Sequence, residues 1–232
     1  MGTNIKYSHT LIRNGEPFTK LILEQVEPYV DKMLVTISEK SDDLTLASLF
    51  DLKSKFGDKL DIDTENVTLP AELTKERQKQ LDKTPKGAWV LFLDGDDYWS
   101  QESLEQMNMF LKDDVDGLSV LPYQVVSEKY HDSNFRNKYF LKWFRNDEGV
   151  HYKFPWPRDM VFKGDKMLYW RTNDRCPRIA VRFFHIANLM DWRFRDLPEF
   201  SEYKGSLGTL IPYDEGWKKD LEKIFFYVRR NK

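Results

Sequence analysis

The sequence predicts an α/β fold, a mostly parallel sheet flanked by helices, and three observations predict it. Strand-like and helix-like periods take turns along the first 126 residues. Each early strand opens into a polar loop ("RNGEP", "SEKSDD", "TENVT"), and parallel strands gather such loops on one edge of the sheet. The most apolar strand, "AWVLFLD", runs straight into the acidic turn "DGDDYW".

The elements follow in order. "KYSHTLIR" reads as a strand and "PFTKLILEQVEPYV" as a helix, with Pro17 suited to its first turn. "KMLVTIS" is a strand again, and "TLASLFDLKSKFG" a helix closed by Gly57. "KLDID" is a short strand. "LTKERQKQLDKT" is a charged helix that Pro85 and Gly87 stop. After "AWVLFLD" comes the helix "SQESLEQMNMFLK", with Ser100 as N-cap, or Ser103, and an acidic first turn that suits the helix dipole. "GLSVLPYQVV" returns to strand. Residues 127–232 have a different character: basic side chains outnumber acidic ones about two to one between Lys129 and Arg195, interleaved with aromatics. Their elements are irregular ("YFLKWFR", "VHYKF", "MVFKG", "MLYW", "IAVRFFHIANLM") until the amphipathic "GWKKDLEKIFFYVRR", a closing helix. Residues 1–126 and 127–232 read as two halves of one continuous domain.

Composition narrows the partners. The formal net charge of −2 supplies no global field toward nucleic acid or an acidic membrane. A single cysteine, Cys176, makes no internal disulfide, which fits a reducing, cytoplasmic setting. No apolar run approaches the ~20 residues of a membrane span, and a soluble protein is expected.

The acidic turn carries the chemistry. Asp94 and Asp96 lie two positions apart at the end of a buried strand, and with strand geometry kept through Gly95 they point the same way. Such a pair can share a divalent cation, and hard oxygen ligands favour Mn²⁺ or Mg²⁺ alongside substrate phosphates. The competing reading is a helix-entry turn in which Asp97 and Ser100 cap.

With these motifs in place, the N-terminal half resembles the family 2 glycosyltransferases, nucleotide-sugar-dependent enzymes of the Rossmann-like GT-A fold. The resemblance runs over "LIRNGEPFTKLILEQVEPYVDKMLVTISEKSDDLT" (11–45) and resumes at "ERQKQLDKTPKGAWVLFLDGDDYWS" (76–100). It implies inverting transfer of a sugar from a nucleoside diphosphate donor to a hydroxyl acceptor, a glycan being the expected class. Asp96 would hold the metal bridging the two phosphates, with Asp94 near the ribose or the metal. Arg13, Asn14 and Glu16 would face the nucleotide, Ser38 and Asp43 would belong to the donor loop, and Arg77 would lie near the pyrophosphate. His185 would complete the metal shell. Asp159 falls where the family places its catalytic base, with Asp147, Glu148 and Asp165 as rivals. The chain departs from the family at "VTISEKSDD", where Thr36 and Ser38 stand in place of the acidic residue expected before the serine.

Each candidate also has a plainer reading. The first-loop residues suit a polar turn around Gly15, Asp42 and Asp43 suit helix capping ahead of Thr45, and Arg77 suits a solvated helix face. His9 reads as structural, His131 and His151 as surface or acceptor-side. Trp143, Trp156, Trp170 and Trp192 are more often core than platform. Only "FPWPRD", stiffened by its prolines, makes Trp156 an expected acceptor-stacking residue. Three alternatives stand beside the transferase. One is transfer to a modified DNA base or a protein. A haloacid-dehalogenase-like phosphatase would want Thr or Val at Tyr98 and its motif far earlier. A non-enzymatic nucleotide or nucleic-acid binding module would use the basic aromatic half.

Overall fold

The computed structural model describes residues 5–66, 70–125, 130–132, 139–153, 160–169, 173–186, 210–212 and 218–230. The expected alternation is present: β1 (Lys6–Ile12), α1 (Thr19–Val26), β2 (Lys32–Ser38), α2 (Thr45–Phe56), β3 (Leu60–Glu65), α3 (Pro70–Asp82) and β4 (Trp89–Asp94). A two-residue strand β5 (Asp97–Tyr98) precedes α4 (Gln101–Met109) and β6 (Gly117–Val125). Helix α1 begins two residues after Pro17 because the Gly15 carbonyl accepts from both Phe18 and Thr19, making residues 15–18 a turn. Gly57 closes α2 at φ +58°, a conformation that suits a residue without Cβ. At α4 the Ser100 side chain accepts from the Ser103 backbone amide, the expected N-cap.

The second half adds β7 (Tyr130–Asp132), β8 (Phe140–Arg145), β9 (Val150–Lys153), β10 (Met160–Lys163), β11 (Lys166–Met167), β12 (Arg178–His185), β13 (Leu210–Pro212) and α5 (Lys218–Arg230). The main sheet runs β13-β7-β6-β8-β4-β1-β2-β3, and β12 joins β6 and β5. Strands β3, β2, β1 and β4 pair in parallel, as does β12 with β6. Strand β8 runs antiparallel between β4 and β6, so the second half of the sequence supplies a central strand of the sheet that the first half builds. Strands β9, β10 and β11 form a separate antiparallel sheet.

Burial explains the register. Val35, Ile37, Leu91 and Leu93 meet helix residues Ile22, Leu23, Val26, Leu49 and Leu52 in one core, which Trp99, Trp143, Phe183 and Phe184 continue. The indole of Trp99 stacks on Phe183 at 5.1 Å. Leu221, Ile224 and Phe225 bring α5 into the same core. A second cluster around Leu81, Val90, Phe144 and Tyr152 joins the small sheet to β4 and β8. His9 is structural: fully buried, it pairs Nε2 with Thr84 Oγ1 at 2.7 Å. Burial first, then the Arg77 charge, push its pKa well below the ordinary value. Among the described residues no helix is long and apolar enough to cross a membrane.

Candidate functional site

Parallel strands β1, β2 and β4 end on one edge, and the register sets Asp94 level with Leu11 of β1. The turn after β4 passes so close to β1 that a Cβ on Gly95 would sit 2.5 Å from Ile12 and 3.2 Å from the Leu11 carbonyl. Glycine serves here by its lack of bulk. Gly95→Ala is therefore expected to lower stability by about 1–3 kcal/mol, measured as an earlier midpoint in urea. An unchanged midpoint would contradict the tight approach.

Past Gly95 the three carboxylates separate by partner. Asp94 Oδ1 accepts from Arg77 Nη2 at 2.5 Å and its Oδ2 from Lys142 Nζ at 2.8 Å. Burial alone would raise the Asp94 carboxyl, but Lys142 and Arg77 outweigh it and hold it well below the usual carboxylate range. Asp97, fully buried, accepts from Lys142 and from the Asp94 backbone amide through Oδ2, and its Oδ1 faces His185 Nδ1 at 3.1 Å. Burial pushes its carboxyl up; Lys142 opposes this, and the nearby Asp94 charge adds to it. Asp97 does not cap α4, contrary to the plainer sequence reading. Asp96 Oδ1 lies 3.5 Å from His185 Nδ1. His185 arrives at the end of β12, which pairs His185 with Asp97, and the Ile186 amide donates to the Asp96 carbonyl at 2.8 Å.

Asp96, Asp97 and His185 thus offer two carboxylate oxygens and an imidazole nitrogen within 4.8 Å of one another. That donor set fits a hard divalent ion such as Mn²⁺ or Mg²⁺. The structure brings together Asp96 and His185, the two residues expected from the sequence as metal ligands. Asp97 takes the third place, where Asp94 had been expected near the metal. His185 presents Nδ1 to Asp97 Oδ1, and a nitrogen that ligates an ion carries no proton.

The donor-loop candidates meet in two interlocked turns. Asn14, at φ +49°, exchanges hydrogen bonds with Asp42: Nδ2 donates to Oδ1 at 2.6 Å, and Oδ1 accepts the Asp42 amide at 2.9 Å. Asp43 accepts from the Glu16 amide at 3.1 Å and from the amide of Thr45, the first residue of α2, at 2.9 Å, so it ties the two loops together just ahead of the helix. Glu16 Oε1 is buried without a hydrogen-bond partner among the described residues. Arg13 stands at the base of the first loop, and Ser38 ends β2, its Oγ accepting from the Lys40 amide at 3.3 Å. Arg77 is not on a solvated face. It is 2% exposed, donates to the His9 carbonyl at 2.6 Å as well as to Asp94, and lies 4.0 Å from the Phe92 ring centroid.

Trp156 and Asp159 lie outside the described residues, as do Trp170, Trp192, Arg193 and Arg195. Trp143 is core, 1% exposed. Sequence reasoning missed two participants, Asp97 and Lys142. For Lys142 a signal existed: one charge inside the apolar run "FLKWF" must find a partner if the strand is central.

Compared with solved structures, the chain is similar to S. aureus TarS, with a TM-score of 0.54 at 16% identity over 82% of this chain and 38% of that one. A shorter TarS structure (TarS 1-349) gives 0.52 at 18% over 85% and 68%. The chain therefore spans 38% of the longer TarS chain. GalNAc-T7 with UDP, GalNAc and Mn²⁺ is more distant, TM-score 0.39 at 13% identity over 52% of this chain and 23% of that one. No family model and no curated protein matches the sequence. The architecture is a GT-A-like fold, a large curled, mostly parallel sheet flanked by helices.

Proposed function

We infer that this chain is a nucleotide-sugar-dependent glycosyltransferase that uses Mn²⁺ or Mg²⁺ and inverts the transferred sugar. The observation that carries the reading is the convergence of Asp96, Asp97 and His185 at the carboxyl edge of a GT-A-like sheet. A divalent cation held there supplies charge neutralisation for the diphosphate leaving group. The chain's own residues do the rest. Asp96, Asp97 and His185 hold the ion, while Arg77 and Lys142 compensate the carboxylates behind it. The interlocked turns carrying Arg13, Asn14, Glu16, Ser38 and Asp43 receive the nucleoside. Asp159 takes the proton of the acceptor hydroxyl as its oxygen bonds the anomeric carbon and the bond to the diphosphate breaks. Trp156 stacks on the acceptor, a glycan in the first instance.

The phosphatase alternative asks Asp94 for a free nucleophilic carboxylate, whereas both its oxygens are ion-paired. The test is thermal stabilisation by a panel of nucleoside diphosphate sugars with Mn²⁺, because a matched donor raises the midpoint by mass action. One donor should stabilise in Mn²⁺ and lose its effect in EDTA. Stabilisation that ignores EDTA would exclude the metal arm, and a panel without effect would exclude the transferase.

A further inference from the structure

The buried ammonium of Lys142 lies behind the proposed ion site and belongs to none of the candidate ligand set. Its side chain is 4% exposed, and its Nζ joins Asp94 Oδ2 to Asp97 Oδ2. The aromatic rings of Phe92 and Phe183 cover it, with centroids 5.1 and 4.9 Å away. The position is built in: β8 is an interior strand, and Trp143, the next residue along it, enters the core. A lysine so enclosed loses its hydration and retains its place only through the carboxylates it touches.

The consequence falls on Asp97. Its Oδ2 is committed to Lys142, and only Oδ1 faces His185. Asp94, with Arg77 on one oxygen and Lys142 on the other, is withdrawn from the ligand set although it belongs to the same acidic turn. Lys142 therefore sets one positive charge against two carboxylates of the turn, Asp94 and Asp97, and occupies one oxygen of each.

Resting on the metal reading given above, we propose that Lys142 is a positioning residue acting as a built-in monovalent cation: it fixes the acidic turn as a site for one divalent ion and limits how tightly that ion is held. A limited affinity matters to a site that must share its ion with a diphosphate and release the product. Removing Lys142 takes that positive charge away, leaving Asp94 Oδ2 without its ammonium and Asp97 Oδ2 with the Asp94 amide.

Mn²⁺ alone is the probe, with free ion read by electron paramagnetic resonance and heats by titration calorimetry. The wild-type chain is expected to take up one Mn²⁺. Lys142→Met should bind Mn²⁺ at least about tenfold more tightly, or take up a second ion, as Coulomb's law requires of a lost neighbouring charge. A purely structural lysine gives the opposite sign, because a collapsed turn binds Mn²⁺ more weakly. Lys142→Arg keeps the charge and should stay at one ion within about threefold of the wild-type affinity; it remains decisive if the methionine variant does not fold. Unchanged or weaker binding in Lys142→Met, or methionine-like tightening in Lys142→Arg, overturns this assignment alone. A wild-type chain that binds no Mn²⁺ overturns it together with the metal reading.

Discussion

Asp96→Asn is expected to cut sugar transfer by about a thousandfold and to abolish Mn²⁺ uptake, with the thermal midpoint moved by no more than about 2 °C. The expectation follows from how Asp96 is held. Its backbone carbonyl anchors Ile186 of the strand end that carries His185, and an isosteric amide leaves that anchor in place. Its side chain faces the His185 imidazole from a position 3% exposed, so the substitution removes a charged oxygen donor without opening a cavity. Asp94→Asn is the informative contrast. Its carboxylate serves Arg77 and Lys142, so that variant should lose stability first and Mn²⁺ affinity second. An Asp96→Asn enzyme that transfers sugar at the wild-type rate would remove the acidic turn from catalysis.

Arg77→Met should lower stability by about 3 kcal/mol, or roughly 10 °C in thermal midpoint for a chain of this size. The guanidinium binds two structures at once, the His9 carbonyl of β1 and the Asp94 carboxylate at the end of β4, while its plane covers the Phe92 ring. Arg77→Lys should recover less than half of the loss, since an ammonium lacks the fork that reaches both acceptors. Acid unfolding checks the same bond. The Asp94 carboxyl is held below its unfolded value, so its contribution is complete above about pH 4 and is lost as pH falls further. The wild type should therefore lose stability more steeply than Arg77→Met below that pH. Parallel acid limbs for the two proteins would show that the pair contributes little to folding.

The alternation of strand and helix was legible because period alone separates them, and "AWVLFLD" marked its own destination by having no polar residue before Asp94. Strand partners were not legible. "YFLKWFR" reads as a strand, yet nothing local says that it would enter antiparallel between β4 and β6. That insertion is what delivers Lys142 to the turn. Asp97 was misread for a related reason: an aspartate three residues ahead of Ser100 looks like helix-entry punctuation, and only β12 running past it gives it a second use. Asp96 and His185, which the structure sets 3.5 Å apart, were singled out together only through the family resemblance, since no spacing rule links two residues so far apart. The interlocking of Asn14 with Asp42 was likewise invisible, because an asparagine at positive φ leaves no pattern beyond the glycine that follows it.

The pairing of β12 with β5 also orders events during biosynthesis. The histidine lies 88 residues downstream of the aspartate it faces, and Tyr98 bonds Asp220 across 122 residues at 3.1 Å. A nascent polypeptide therefore exposes its carboxylates long before the imidazole emerges from the ribosome, and longer still before the helix bearing Asp220 reaches Tyr98. A translation product that stops short of β12 carries the acidic bend without the imidazole that faces it.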